Sequence, residues 1–420
     1  MLSPYLCGMK RGAFFIFFIL SVIAAMGQSS LRVMSYNLLN FPDGLIPNRI
    51  DTLEIILDYH RPDLFMIQEL RNQSALEAIE DKLDSFGYGN FTTSSFVAGA
   101  NDPLNQAIAF NQNKLRLKQQ IEIPTVLRDI NYFVLYLNDP ELENGADTTF
   151  LHTFVCHLKA AEGNVNEQAR LDMVQAALPY INALDDDSFV LFGGDFNVYT
   201  SAEPAFQALL NPSNSPDLVD PISTPGSWTN NGFFREVHTQ STRENVIFGD
   251  GAGGGMDDRF DHVLISEALE DPLARLHYVE GSYRALGNSG DCFNQSILVC
   301  AEENGLPAEV TSAIYHQSDH APIVLELETA MNVGIIESEH MPLQARWNYS
   351  LGRPEVMCPY GWFRAEMWDI SGRLIHSELL SSQAGIWNIL SPGSPEMGIY
   401  LIRLTGEDWQ GSTRVFCPSR

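Results

Sequence analysis

Carboxylate, amide and imidazole side chains recur where apolar stretches of the sequence begin or end. A single Asn or Asp at a strand end usually makes a turn, and a single His is usually packed. Gathered at the ends of several apolar strands, such side chains are typical of an open pocket over a rigid core. The candidates are Asn37, Glu69, His157, Asp195, Asn197, Asp261, Asp319 and His320.

These residue types indicate a particular chemistry. Carboxylate and amide oxygens without cysteine favour a hard cation, Mg²⁺, Mn²⁺ or Ca²⁺. The histidines lack the HExxH spacing of zinc proteases. Hydrolysis of a phosphate ester needs such a cation, a positioned water and a general acid or base. The residues therefore fit the needs of metal-dependent hydrolysis of a phosphate ester.

Strands and helices that alternate from residue 31 must position these side chains. Apolar residues at helical spacing predict helices in "RIDTLEIILDYH", "SALEAIEDKL" and "NEQARLDMVQAALPYINAL". A Gly-rich loop covers about 211–258, and a Cys-bearing loop runs to about 313. Mixed strands with helices between some of them predict two packed mixed sheets flanked by helices. The strands are predicted in "LRVMSYNLL", "DLFMIQEL", "QAIAFN", "NYFVLYL", "TFLHTFVCHL", "SFVLFGGDFN", "RFDHVLIS" and "APIVLELE".

Six motifs in order resemble those of the endonuclease/exonuclease/phosphatase superfamily. They are "MSYNLLN", "PDLFMIQEL", "FVCHLKA", "GGDFN", "RFDHVLIS" and "SDHAPI", and the resemblance covers roughly residues 30–328. The family includes deoxyribonucleases, abasic-site endonucleases, inositol-polyphosphate 5-phosphatases and secreted sphingomyelinases. The resemblance implies a four-layered α/β sandwich and attack of water on phosphorus in line with the leaving group.

The resemblance also implies a metal site. Glu69 matches the principal metal ligand, and Asn37 lies beside it as a ligand or a supporting residue. Asp319 matches a carboxylate of the same metal site.

The other motif residues are implied to act on water and phosphate. Asp195 orients or activates the attacking water, and Asn197 holds that water or a phosphate oxygen. His320 binds the phosphate or acts as general base or acid, and Asp261 orients its ring. His157 matches a second histidine on the phosphate in the deoxyribonuclease and sphingomyelinase branches.

Three basic side chains are further candidates for contact with substrate. Lys159 and Arg170 follow His157 and could bind phosphate, although a solvated helix face is as good an explanation. His238, in the long loop, could reach the rim of the pocket.

The balance of charge bears on the substrate. Residues 28–334 hold 44 Asp and Glu against 16 Lys and Arg, a net charge of −28. Such a field repels nucleic acid and anionic membranes at long range, unless a local patch or metal ions offset it. A nuclease acting on extracellular nucleic acid is the leading prediction. The alternatives are a phosphatase, a sphingomyelinase-like lipid phosphodiesterase that uses the aromatic stretch 227–234, and a non-catalytic surface-binding protein.

The N-terminus is predicted to be an export signal over residues 1–27. Lys10 and Arg11 precede about 14 apolar residues and a small-residue cleavage site. No stable membrane span is expected, and the mature protein is predicted to be a secreted or cell-surface monomer. Export permits disulfides: Cys292 could pair with Cys300, and Cys358 with Cys417, whereas Cys156 is expected to be a buried thiol.

The composition changes after about residue 330. Short strands and turns predict a small β-sandwich over 349–420, after a catalytic domain over 28–330 and a linker over 331–348. The stretches "MWDISGRLIHSELL" and "GIYLIRLTGEDWQGSTRVF" resemble the C-terminal sorting domain of the Bacteroidetes type IX secretion system. That resemblance implies the secretion machinery as a partner; a carbohydrate- or surface-binding domain is the alternative.

Overall fold

The computed structural model describes the two parts of the chain that follow the predicted export signal, which itself lies outside the described residues. It covers 29–329 apart from 45, 140–141, 143–144, 146, 247–248 and 302–303. It also covers 344–348, 351, 353–357, 361–369, 373–382, 387–390, 397–406 and 410–417. The chain divides into two compact units, 1–329 and 330–420.

The first unit contains the strands and helices that the periodicity predicts, together with several shorter ones. Its helices are α1 Arg49–His60, α2 Gln73–Ser85, α3 Asn164–Ile181, α4 Pro204–Leu209 and α5 Ala308–Gln317. Its strands are β1 Ser29–Phe41, β2 Leu64–Leu70, β3 Phe91–Thr93, β4 Asn105–Asn111, β5 Leu115–Ile123, β6 Ile130–Leu137, β7 Phe150–His157, β8 Phe189–Asp195, β9 Leu218–Val219, β10 Asp261–Ser266, β11 Leu276–Tyr278, β12 Arg284–Ala285 and β13 Ile323–Thr329.

These strands form two mixed sheets. The first has the order β11-β13-β1-β2-β4-β3, with β12 also paired to β13. The second has the order β5-β6-β7-β8-β10-β9. In each sheet one parallel pair, β1 with β2 and β7 with β8, lies among antiparallel neighbours.

Alternation along the central strands separates three cores. On β1, Val33 packs between the two sheets, whereas Met34 and Tyr36 pack under α1, α2 and α5. On the far side of the second sheet, Phe154 and Phe192 pack against α3 and α4. The order is therefore helices, sheet, sheet, helices, which confirms the predicted four-layered α/β sandwich.

The second unit is built from two small antiparallel sheets. One has the order β14-β15-β18, and the other β17-β16-β19-β20. Val356 of the first sheet and Phe363, Met367 and Ile402 of the second share one buried core, as predicted for a β-sandwich. The strands are β14 Gln344–Asn348, β15 Arg353–Met357, β16 Gly361–Asp369, β17 Leu374–Ser382, β18 Trp387–Ile389, β19 Gly398–Gly406 and β20 Gln410–Cys417.

Two boundaries differ from the prediction. Strand β14 lies inside the stretch assigned to the linker, because Gln344–Asn348 pairs with β15. Helix α5 lies where a loop to residue 313 was expected; its Val310, Ala313 and Ile314 pack under the first sheet. Among the described residues, no helix is long and apolar enough to cross a bilayer.

The cysteines of the first unit follow the prediction. Cys292 and Cys300 form a disulfide with a Cα–Cα distance of 5.5 Å, an ordinary spacing for a bridge. Cys156 is a free thiol buried in β7. The predicted partner of Cys417, Cys358, lies outside the described residues.

Candidate active site

Strand registers bring the predicted residues to one edge of the two sheets. In the first sheet Asn37 pairs with Gln68, beside Glu69. In the second sheet Asp195 lies between His157 on β7 and Asp261 on β10. Because the sheets pack face to face, the polar ends of β1, β2, β7, β8 and β10 converge.

Asn37 lies at the centre of this cluster. Its amide nitrogen donates to Oε1 of Glu69 and to Oδ2 of Asp195, each at 3.0 Å. Its amide oxygen accepts the backbone N–H of Leu39 at 3.0 Å. Asn37 therefore turns its nitrogen, not its oxygen, towards the carboxylates. This orientation fits the second of the two predicted roles, a supporting residue that fixes the carboxylates from the side, and the ligand role stays a prediction.

His320 and Asp261 form a close pair. Nδ1 of His320 lies 2.7 Å from Oδ2 of Asp261, and both side chains are buried. Burial alone would lower the pKa of the imidazole, but carboxylates, first that of Asp261 and then that of Asp319, raise it well above its ordinary value. The second ring nitrogen, Nε2, lies 3.7 Å from Oδ2 of Asp195, so the free edge of the ring faces the cluster.

His157 and Asp195 face each other across the parallel pair of strands. Nε2 of His157 lies 3.4 Å from Oδ2 of Asp195 and 3.9 Å from Oε1 of Glu69. Burial lowers the pKa of His157 well below its ordinary value, and Arg128 lowers it further. Burial raises the pKa of Asp195 to about 7. A neutral imidazole thus lies beside a carboxyl group that exchanges a proton near neutral pH.

The backbone adopts unusual φ angles at the ends of β2 and β8. Glu69 and Asn197 both have left-handed φ angles, 61° and 51°, which cost energy in residues other than glycine and concentrate at functional sites. Gly194 has a φ of 139°, and a Cβ there would lie 1.9 Å from the carbonyl oxygen of Cys156. Only glycine fits at that position, so the β8 end can approach β7 closely.

Asn197 holds the neighbouring residues in place. Its backbone N–H donates to Oδ1 of Asp195 at 3.0 Å, and its side-chain nitrogen donates to the carbonyl of Leu158 at 3.2 Å. The side chain is 6% exposed. Asn197 therefore ties the carboxylate of Asp195 to the loop that follows His157.

Glu69 and Asp319 have the properties expected of a divalent cation site. Burial raises the pKa of Glu69, and the nearby charge of Asp319 raises it further, so a cation would stabilise the pair. Oδ1 of Asp319 is buried without a hydrogen-bond partner. The described residues contain no group of three metal-binding side chains. Mg²⁺ commonly takes only one or two carboxylates together with waters and substrate oxygens, so the residues present fit it.

Two residues of the cluster were not among the predicted site residues. Gln240, from the long loop, lies 2.9 Å from Oδ2 of Asp319 and 2.7 Å from Nε2 of His320 through its side-chain nitrogen. Ser318 donates from Oγ to the carbonyl of Asn37 at 2.7 Å and accepts the N–H of His320. A pattern based on strand ends could find Ser318, which precedes Asp319, but not Gln240.

Two predictions about basic residues need correction. Arg170 is fully buried on α3 and pairs with Glu203 at 2.7 Å, so it cannot meet substrate. It also donates to the carbonyls of Lys159 and Ala161, and thereby holds the loop after His157.

The second correction concerns His238, whereas Lys159 remains a candidate. Lys159 is half-buried and donates from Nζ to the carbonyl of Ala160, and its contact with phosphate stays a prediction. His238 does not lie on the rim, because it is buried between the carbonyls of Trp228 and Met256.

Comparisons with known proteins find similarity in structure alone. No family model matches the chain, and no curated protein matches it. An endonuclease/exonuclease/phosphatase family protein from Bacteroides thetaiotaomicron covers 73% of this chain and 100% of its own, with 16% identity and a TM-score of 0.45.

Two further solved structures show the same degree of similarity. TDP2 of D. rerio, complexed with a single-strand DNA product, covers 72% of this chain and 100% of its own, with 17% identity and a TM-score of 0.46. The human Nocturnin catalytic domain, with a bound sulfate anion, covers 71% and 93%, with 15% identity and a TM-score of 0.46. At these values the chemistry of this chain has to be inferred from its own residues.

Proposed function

We propose that this protein is a divalent-metal-dependent phosphodiesterase. The observation that carries the proposal is the convergence of the Asp261–His320 pair on a buried cluster of carboxylates, Glu69, Asp195 and Asp319. An imidazole held by a carboxylate supplies proton transfer, and closely spaced buried carboxylates suit a hard cation.

Each residue of the cluster is assigned one role in the proposed hydrolysis. When bound beside Glu69 and Asp319, Mg²⁺ or Mn²⁺ would neutralise charge on the phosphoryl oxygens. Nε2 of His320 exchanges a proton, while Asp261 fixes the ring at Nδ1. Asp195 accepts a hydrogen bond from the attacking water and orients it.

Two further residues contribute hydrogen bonds without carrying charge. His157 is kept neutral by burial, so it can donate one N–H to a phosphoryl oxygen without adding a fixed positive charge. The amide nitrogen of Asn37 keeps Glu69 and Asp195 apart at fixed distances.

Nucleic acid is the first substrate class that we propose. The support is the set of motifs in the sequence. The burial of Arg170 removes one of the two basic side chains that were considered as phosphate contacts. The Cys292–Cys300 disulfide supports the proposal of export, because disulfides persist in oxidising compartments. We further propose that the C-terminal β-sandwich serves sorting during that export.

A lipid phosphodiester is the second candidate, and one observation favours it. Phe233 is 97% exposed, in the turn Gly232–Val237 of the aromatic stretch that the sequence singled out. An aromatic ring bare to solvent on an ordered 3-10 helix is a feature of surfaces that contact a membrane.

Both candidates are tested by one set of assays on the mature chain, residues 28–420. Plasmid DNA, RNA, sphingomyelin vesicles and bis-p-nitrophenyl phosphate are incubated with Mg²⁺, Mn²⁺ or Ca²⁺, and again with EDTA. We expect turnover that EDTA abolishes. Turnover that persists in EDTA, or no turnover of any substrate, would contradict the proposal of a metal-dependent phosphodiesterase. Cleavage of sphingomyelin alone would replace the nuclease proposal with the lipid one.

A further inference from the structure

Residues 239–246 and 249–255 of the long loop are together called the insert strap here. Thr239, Gln240 and Thr242 of the strap pair with the backbone around Asp319 and His320. The backbone N–H of Thr242 donates to the carbonyl of Asp319 at 2.9 Å. The N–H of Ala321 donates to the carbonyl of Thr239 at 2.7 Å, and Gln240 forms a bridge with His320. This short antiparallel pairing sets Gln240 directly beside the site.

The contacts of Gln240 determine which way its amide faces. Its nitrogen lies 2.9 Å from a carboxylate oxygen of Asp319 and 2.7 Å from Nε2 of His320. The reversed amide would put its oxygen against that carboxylate, which repels it. An NH₂ group has two hydrogens, so one can go to Asp319 and the other to Nε2 of His320 when that ring is neutral.

The same contacts fix the orientation of the His320 ring. Nδ1 lies 2.7 Å from Oδ2 of Asp261 and Nε2 lies 2.7 Å from the side-chain nitrogen of Gln240, so the imidazole is held from both sides. Its Nε2 edge is thereby kept facing the cluster.

Asp319 receives a second donor from the insert strap. The N–H of Ala252 donates to Oδ2 of Asp319 at 2.6 Å. Gly251 makes this approach possible: its φ is 82°, and a Cβ there would lie 2.9 Å from Cγ of Asp319. Oδ2 is thus held from two positions on the insert strap, while Oδ1 is left for other partners.

The insert strap is held in turn by the disulfide loop, residues 292–300. The N–H of Ile297 donates to the carbonyl of Thr242, and the N–H of Met256 to the carbonyl of Gln295, each at 3.0 Å. Met256 is buried against the Cys292–Cys300 bridge. Gln240 is 9% exposed and belongs to a packed segment rather than to a free loop.

We propose that Gln240 is a positioning residue of the active site, which holds Asp319 and the Nε2 edge of His320 from the insert strap. The kinetic consequence rests on the proposed phosphodiesterase function; the structural consequence does not. Partners of this kind that fix catalytic groups commonly change activity by about 10- to 100-fold when they are removed.

The first test replaces the donor while keeping the shape of the side chain. For Gln240→Met, with bis-p-nitrophenyl phosphate and Mg²⁺, we expect kcat to fall about 10- to 100-fold while KM changes little, because the ring and not substrate binding is disturbed. The kcat of Gln240→Glu should fall further, since it places one more carboxylate beside Asp319. Gln295→Met, the same change at an exposed residue of the disulfide loop, is the control and should behave as the wild type.

The second test does not depend on turnover. In the metal-free chain, the proton on Nδ1 of His320 is followed by NMR. We expect it to exchange with water at least about tenfold faster in Gln240→Met, because the ring has lost its support at Nε2. If circular dichroism shows that Gln240→Met is unfolded, Gln240→Asn takes its place. Asn keeps the amide, but its side chain is one methylene shorter and does not reach Nε2 of His320, so the same acceleration is expected.

The two readouts separate the two proposals. An inactive wild type whose His320 proton responds to Gln240→Met would contradict the phosphodiesterase function and leave the positioning role standing. A folded Gln240→Met with wild-type kcat and wild-type proton exchange would overturn the positioning role.

Discussion

The candidate site has two halves that are held by different means. The strand-borne half, Asn37, Glu69, His157, Asp195 and Asp261, lies at the ends of strands in the two packed sheets. The insert-borne half, Gln240 and the N–H of Ala252, comes from a loop that is fixed by hydrogen bonds to the disulfide loop. Asp319 and His320 lie between the halves and contact both.

The difference shows what positions a side chain in each half. Strand ladders place residues in a periodic register, so their neighbours follow from the pairing of strands. The insert strap has no such repeat, and its position depends on particular loop-to-loop bonds. The strand-borne half should therefore resist changes in the loops, whereas the insert-borne half should be the softer of the two.

The largest expected effect comes from the residue that the halves share. His320→Ala removes the imidazole, and we expect kcat on bis-p-nitrophenyl phosphate to fall about 10³-fold, the range for loss of a general acid or base. The fold should persist, as judged by circular dichroism. His316→Ala, four residues upstream on α5, is the control. Equal loss in both variants would show that the effect is not specific to the site.

Removal of the buried ion pair behind the strand-borne half comes next. Arg170→Met leaves the carboxylate of Glu203, 4% exposed, without its partner. We expect the free energy of unfolding to fall by about 4 kcal/mol in urea titrations.

A paired variant is the control for that ion pair. Arg170→Met combined with Glu203→Gln should recover part of the lost stability, because no buried charge is then left alone. If Arg170→Met instead raised KM without changing stability, Arg170 would contact substrate after all.

Acid should lower the stability of the first unit, which carries the strand-borne half, through a buried histidine. Burial lowers the pKa of His60, at the end of α1, to about 4. The folded state therefore disfavours the charged ring, so the stability it contributes is complete above about pH 6.5 and is lost as the pH falls towards 4. The full difference is about 3 kcal/mol.

The contribution of His60 is measured by unfolding in urea at pH 7.5 and at pH 5. The difference in stability between these two conditions should be smaller in His60→Gln, whose side chain does not titrate. An unchanged difference would assign the acid sensitivity to other groups.

The smallest effect tests the softness of the insert-borne half. With Cys292→Ser and Cys300→Ser together, we expect stability to fall by about 2 kcal/mol. The drop in kcat should be smaller than that of Gln240→Met. Hydrogen exchange should accelerate at the amides of Thr242 and Gly255 but not at Val263 on β10. Acceleration at all three would show that the halves do not differ in the way proposed.

Much of the first unit could be predicted because its patterns are local. Helices α1, α2 and α3 follow from apolar residues three and four apart, and the central strands from apolar runs bounded by turns. Helix α5 escaped prediction because it follows a loop rich in Gly, Asn and Cys. The β14 strand escaped because pairing with β15, and not its own composition, makes it a strand.

The site residues at strand ends could be predicted from the sequence, whereas those contributed by the insert strap could not. Asp195 and Asp261 come to lie side by side because β8 and β10 pair in one register. Arg170 illustrates the opposite case: a basic residue after His157 suggests a phosphate contact, but α3 turns it inward to Glu203. Helical spacing does not by itself say which polar side chain of a helix points into the protein interior.

The sequence by itself determined the layered sheets, the polar strand ends and the kind of chemistry that these residues can support. All three depend on residue type and on periods of two and 3.6 along the chain. Only the tertiary structure decided that Asn37 turns its nitrogen to the carboxylates, that Arg170 is internal, and that Gln240 meets His320. Those outcomes depend on contacts between residues up to 158 positions apart, which no local pattern specifies.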